Sequence, residues 1–211
     1  MSEGRDRLIV AAVVLAVAGG SAYWYYAVKQ KKEQQQALAA LLGDTTVQLR
    51  KALAAPPAPE ILSRIDGNLK AARAPRDPVL ADAAGGYIQD AREIVRRRAD
   101  AERLAREAAM SRRALAMHMA AASGRDSYWI RIATDLKKRV ERDHYELDVS
   151  LKVLSELLFN LPEAQKRLEP HVDASLLLED AERVKARERA MAASKHAAAE
   201  LEKVRRLAQP R

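Results

Sequence analysis

Residues 127–161 read SYWIRIATDLKKRVERDHYELDVSLKVLSELLFNL, and apolar side chains recur along this stretch at steps of three and four. That spacing places them on one face of an α-helix, because 3.6 residues make one turn. The face comprises Ile132, Leu136, Leu147, Leu151, Leu154 and Leu158. We expect this helix to pack through that face and to offer it to a protein partner.

Seven-residue spacing continues on both sides of this helix. The preceding seam consists of Tyr87, Ile94, Ala101, Ala108 and Leu115. The following seam consists of Leu177, Val184, Met191 and Ala198, and Leu201 and Val204 extend it. Proline and glycine separate the segments, so the pattern predicts helices at about 78–122, 127–161 and 173–208 that fold back as an elongated antiparallel bundle with coiled-coil seams, the body spanning 75–211. Because alanine seams bury little apolar area, we also expect self-association.

Composition agrees with an all-α fold class. Aromatic residues make up 4% of the 211 residues and charged residues 31%, a balance typical of long helices rather than of sheets. There is no cysteine, which excludes disulfides, thiol nucleophiles and thiolate metal sites. Residues 29–74 continue the helical composition as membrane-proximal helices, with a proline-rich break at 55–59.

Residues 8–28 read LIVAAVVLAVAGGSAYWYYAV and carry no charge. A helix of this length covers about 31 Å, which matches the hydrocarbon core of a bilayer. Arginines lie in the short N-terminal tail 1–7, and lysines follow the apolar segment. The residues expected at the membrane interface are Tyr23, Trp24, Tyr25, Tyr26 and Lys29. The pattern predicts one transmembrane helix.

A basic tail, an apolar span, small residues and an aromatic cluster resemble the signal anchors of bacterial envelope proteins, over the first thirty residues. The resemblance implies a single-pass protein of the bacterial inner membrane with its body in the periplasm. Two alternatives stay open. The lysines after the span favour a cytoplasmic body, and Gly20-Ser21-Ala22 is compatible with cleavage of a signal peptide.

The formal net charge is +8, and the densest basic region includes Arg96, Arg97, Arg98, Arg112 and Arg113. This patch could dock an acidic partner, lipid headgroups or an anionic cell-wall polymer. Arginines here alternate with glutamates, however, as on a solvated helix face. The scarcity of aromatic side chains for base stacking argues against a nucleic-acid partner.

Two short motifs have metal-binding interpretations. Glu141 and His144 have the Glu-x-x-His spacing of carboxylate-bridged di-iron bundles, but no second copy of the motif exists. Met117-His118-Met119 contains soft copper ligands, although successive helical residues point about 100° apart. A surface ion pair and ordinary core packing are the preferred interpretations, and we predict neither a metal nor a cofactor.

No catalytic motif is recognisable, so we predict that the chain is not an enzyme. The leading hypothesis is a membrane-anchored structural or interaction protein that binds a partner or self-associates. One alternative is an anchored helical sensor, for which Tyr128, Trp129, Arg131 and Tyr145 are the nominated ligand contacts, although small-molecule binding is not favoured. The other alternative is a cytoplasm-facing scaffold.

Overall fold

Every element that the structure describes is helical, which confirms the all-α prediction. The computed structural model describes the backbone of residues 3–73, 78–121 and 127–206, and side chains from residue 24 onward within those ranges. The helices are α1 (Glu3–Ala54), α2 (Pro59–Ala72), α3 (Pro78–Ala120), α4 (Ser127–Leu168) and α5 (Asp180–Arg206), with a 3₁₀ turn at Ala174–Leu176.

The chain forms two compact units, Met1–Ala40 and Leu41–Arg211. The first consists of the larger part of α1. In the part of the chain that the structure describes, no helix is long and apolar enough to cross a membrane. Most of the predicted span, residues 8–28, lies outside the described side chains, which begin at Trp24.

The second unit is a helical bundle in which α4 packs against both α3 and α5, and α2 packs against α3. The seam predicted for α3 is confirmed over most of its length. Tyr87, Ile94, Ala101 and Ala108 are all buried, whereas Leu115 is half-buried. The α3 seam and the leucine stripe of α4 thus both contribute to the core.

The last predicted seam is confirmed at its ends, where Leu177, Leu201 and Val204 are buried, and is wrong in its middle. Val184 and Met191 are 43% and 41% exposed. In that part of α5 the side chains that face the core are instead Ala190, Ser194 and Ala197. A seven-residue step also connects Ala190, Ala197 and Val204, one position before the predicted seam. Because neighbouring helical residues differ by about 100° in direction, this shift of one residue selects another face.

Helix α4 continues to Leu168, beyond the predicted end near residue 161. Pro162 lies inside it and has no N–H to donate to the carbonyl of Leu158, one turn earlier. The Arg183 guanidinium of α5 donates to that carbonyl instead, at 3.2 Å. The proline therefore does not end the helix, because a side chain from a neighbouring helix satisfies the carbonyl oxygen.

Helix α5 begins at Asp180, later than the predicted start near residue 173. Asp173 caps the 3₁₀ turn, where its side chain accepts from the backbone N–H of Ser175. Polar contacts to buried atoms hold the connector that follows. The Tyr87 hydroxyl accepts from the N–H of Leu178 at 3.3 Å, and the Gln165 amide donates to the Leu178 carbonyl at 2.7 Å.

Candidate interaction groove

The C-terminal segment of α1, residues 41–54, lies between α3 and α5. Its Thr46 hydroxyl is hydrogen-bonded to the Tyr87 hydroxyl of α3 at 2.8 Å. Its Arg50 forms an ion pair with Glu182 of α5, also at 2.8 Å. The helix ends at Ala54 because Pro56 and Pro57 follow and cannot donate the backbone hydrogen bonds of a further turn.

Beyond the end of α1, the space between α3 and α5 continues as an open groove. It consists of two adjoining hollows of about 330 and 430 Å³ that share Leu151 and Ala193 in their walls. Leu53 and Ala54 line the first hollow, so the groove begins where α1 stops. Helices α3 and α5 both pack on α4, which forms the floor.

Small side chains form the walls of this groove. On α3 they recur at steps of three and four, as one helical face requires. The alanines that line the larger hollow are Ala101, Ala105, Ala108, Ala109, Ala193 and Ala197. On the floor, α4 contributes Leu147 and Leu151. Alanine walls leave room for the side chains of another chain segment.

One polar side chain on the floor has no hydrogen-bond partner. His144 is 6% exposed, and neither of its ring nitrogens has a partner among the described residues. Burial holds its pKa below the ordinary value of 6.5, while the carboxylate of Glu200 acts in the opposite direction. The ring is therefore neutral near pH 7, with one nitrogen able to donate and the other to accept. Unpaired buried polar groups are rare, and they point to a functional role or an absent partner.

Arginines line the edges of the groove. Arg98 forms an ion pair with Glu102 along α3 at 2.5 Å, and Arg112 bridges to Glu200 of α5 at 2.8 Å. Arg189 lines the first hollow, and it forms no ion pair with any of the described residues. The edges of the groove thus carry three arginines and two glutamates, so their net charge is positive.

The predicted interaction face lies partly inside the bundle. Leu151, Leu154 and Leu158 are buried against helices of the same chain. Ile132, Leu136 and Leu147 are half-buried. The stripe thus contributes mainly to the intramolecular core, and its members Leu147, Leu151, Leu154 and Leu158 also line the groove.

The predicted basic patch is largely paired with acidic side chains of the same chain. Arg96 and Arg97 both contact Glu93, at 3.8 and 2.8 Å. Arg113 is exposed. Arg98 and Arg112 differ from the other arginines of the patch because they line the groove. The patch is therefore divided between a solvated helix face and the groove edge.

The predicted membrane-interface residues fall in the first unit. Trp24, Tyr25 and Tyr26 are between 62% and 70% exposed, and Lys29 is exposed as well. The rings of Tyr25 and Tyr26 meet edge to face, with centroids 6.1 Å apart. The Tyr23 side chain lies outside the described residues.

Among the described residues, the structure does not provide a set of metal ligands for either of the two metal-binding interpretations. Glu141 forms an ion pair with Lys137 at 3.3 Å rather than joining His144. Met117 and Met119 are 73% and 52% exposed, so the expectation that one of them fills the core is wrong. Across the described ranges, no group of three or more His, Asp or Glu side chains is placed to hold a metal ion.

The side chains nominated for a sensor do not converge. Tyr128, Trp129 and Arg131 begin α4, and the His118 ring stacks on Trp129 at a centroid distance of 5.1 Å. Tyr145 lies sixteen residues after Trp129 on the same straight element, roughly 24 Å away at the helical rise. These residues therefore form no common pocket.

Comparisons with known proteins identify no relative: no family model, curated protein or solved structure matches the chain. The groove was not predicted from the sequence, although one signal was present. Ala101, Ala105, Ala108 and Ala109 follow one face of α3. Such a face is equally compatible with close packing inside a bundle, and only the end of α1 at Ala54 leaves it open.

Proposed function

We propose that this chain is a membrane-anchored interaction protein whose helical body binds a protein partner in the groove between α3 and α5. The observation that carries the proposal is the continuation of this groove beyond Ala54, with apolar walls and an unpaired buried His144 on its floor. Apolar clefts with a few convergent polar groups are the usual form of binding sites.

The anchor in this proposal is the uncharged segment 8–28, which is flanked by basic residues and contains exposed aromatic side chains near its C-terminal end. We place it in the bacterial inner membrane as a single span, with the body in the periplasm. A body on the cytoplasmic side and a cleaved signal peptide are the competing arrangements. The apolar sequence continues through Tyr23–Val28, which favours a retained anchor over cleavage.

Photo-crosslinking from the groove in spheroplasts tests both parts of the proposal. A photoreactive amino acid replaces Ala105, which is exposed in the groove wall, and in a control replaces Lys195, which is exposed on α5 outside the groove. We expect a discrete larger product from position 105 in the membrane fraction, absent from position 195. External protease should digest a C-terminal tag before lysis.

Three outcomes would contradict the proposal at different points. Equal products from both positions, or from neither, would remove the groove as a binding site. Recovery of the full-length chain in the soluble fraction would remove the anchor. Protection of the tag until lysis would place the body in the cytoplasm.

A further inference from the structure

We infer that the groove seats one amphipathic helix of a protein partner, with bulky apolar side chains facing the alanine walls and acidic residues along its flanks. This inference rests on the proposed function and specifies the chemistry of the partner. Two independent features of the groove carry it: its continuity with the space that α1 occupies, and the charge of its edges.

The shape of the groove fits a helix because a helix already occupies its continuation. Leu49 and Ala52 of α1 are fully buried in the segment that lies between α3 and α5. From Arg98 to Arg112 the same pair of helices extends for fourteen more residues, or about 21 Å at the helical rise. The open part therefore has room for about four helical turns.

The lining determines which side chains the incoming helix presents. Ala105 and Ala193 are small and exposed, so they fill little of the groove. Leucine, methionine or phenylalanine side chains at positions i, i+3, i+4 and i+7 of a partner helix would occupy the remaining volume. Burying them against Leu147 and Leu151 supplies the main favourable free energy.

The edges of the groove select an acidic partner. Arg189 has no ion pair within the described part of the chain, and Arg98 and Arg112 stand above the same groove. Glutamate or aspartate on the flanks of the incoming helix would complement these cations, whereas lysine would be repelled. A second copy is disfavoured because this chain carries a net charge of +8.

Two synthetic peptides test the charge and shape requirements directly. Each is a helical peptide of about sixteen residues with leucines on one face, and the two differ in carrying glutamate or lysine on the flanks. Fluorescence anisotropy measures their binding to the full chain in detergent. We expect the glutamate peptide to bind at least about tenfold more tightly, with a preference that weakens as salt is added.

Substitutions in the chain test whether the peptides bind in the groove. Arg189→Glu should reduce the affinity for the glutamate peptide several-fold, whereas Lys195→Glu changes the net charge equally outside the groove and should have no effect. Ala105→Trp should abolish binding of both peptides, and Ala199→Trp, at an exposed position of α5, should not. Circular dichroism confirms that each variant keeps its helical content.

Equal affinity for the two peptides, or no binding of either, would overturn the inference. So would self-association of the chain that Ala105→Trp abolishes, because the occupant would then be a second copy. The photo-crosslink from position 105 is independent of these results. If it persists while the peptides fail to discriminate, the groove still binds a partner, and only the assignment of an acidic helix is wrong.

Discussion

At the scale of single residues, His144 is a buried polar side chain whose ring nitrogens have no hydrogen-bond partner among the described residues. Its folded-state pKa lies below the ordinary value because burial disfavours the charged ring. Glu200 and Asp143 oppose this effect, whereas Arg112 and His196 reinforce it. An apolar side chain of similar size would avoid the unpaired nitrogens, so the histidine is retained here at a cost in stability.

We predict that His144→Leu increases the free energy of unfolding at pH 7.5 by about 1 kcal/mol, because it removes an unpaired buried polar group. The wild-type chain should also lose stability as the pH falls through about 6.5, since the unfolded chain then binds a proton that the folded chain excludes. This loss levels off below the folded-state pKa. Urea unfolding of the full chain in detergent at pH 7.5 and 5.5 measures both effects.

The difference between the two pH values should be smaller in His144→Leu than in the wild type. The other three histidines are common to both proteins, so the comparison isolates this site. An identical pH response in the two proteins would show that His144 titrates normally, and the description of the floor as a buried neutral imidazole would be wrong.

A second prediction at the scale of single residues concerns Arg183 and Pro162, which both affect the carbonyl of Leu158. We predict that Arg183→Ala lowers the free energy of unfolding by about 1–2 kcal/mol, because the Leu158 carbonyl loses its donor. In a Pro162→Ala background the new backbone N–H satisfies that carbonyl, so the same substitution should cost about 1 kcal/mol less. Chemical denaturation of the four proteins gives the coupling energy. Purely additive effects would mean that Arg183 does not compensate for the proline.

At the scale of elements, Tyr87 connects three parts of the bundle. Its hydroxyl lies between the Thr46 hydroxyl of α1 and the Leu178 N–H, and Thr46 also donates to the Leu176 carbonyl at 2.7 Å. Burial raises the pKa of the Tyr87 hydroxyl, so it stays protonated as a hydrogen-bond donor. The network fixes the segment of α1 that ends at the groove.

We predict that Tyr87→Phe lowers the free energy of unfolding by about 2 kcal/mol, because the Thr46 hydroxyl and the Leu178 N–H both lose a buried partner. The matched control is Tyr145→Phe at a residue that is 57% exposed, which should change stability by less than about 0.5 kcal/mol. Denaturant unfolding compares them. A loss equal to that of the control would show that the network does not hold α1 and the connector.

The sequence predicted elements better than it predicted their faces and ends. The α3 seam could be predicted because Tyr87 and Ile94 are large apolar residues in a polar stretch. In α5, alanines occur on every face of the helix. The larger Val184 and Met191 therefore led to a wrong prediction of the buried face. Pro162 lies just after the predicted end of α4 near residue 161, and its place inside the helix depends on Arg183, a contact from another helix that local sequence does not reveal.

At the scale of the whole chain, the groove could not be predicted because it depends on where one helix stops relative to two others. The prolines after Ala54 were recognised as a break, and the alanine face of α3 as a seam. Only the tertiary arrangement shows that α1 ends while α3 and α5 continue side by side on α4. The unfilled remainder of that space is the groove in which we propose that a partner binds.

The most direct test of this account is the accessibility of the groove in native membranes and after purification. The chain has no cysteine, so Ala105→Cys introduces a unique thiol in the groove wall, with Lys195→Cys as the exposed control and Ala91→Cys as the buried control. Reaction with a maleimide is followed by gel shift. We predict that the thiol at position 105 reacts slowly in native membranes, where a partner helix occupies the groove, and as fast as the one at position 195 in the purified chain. Equal rates at position 105 in both preparations, with both controls unchanged, would contradict occupancy of the groove by a partner.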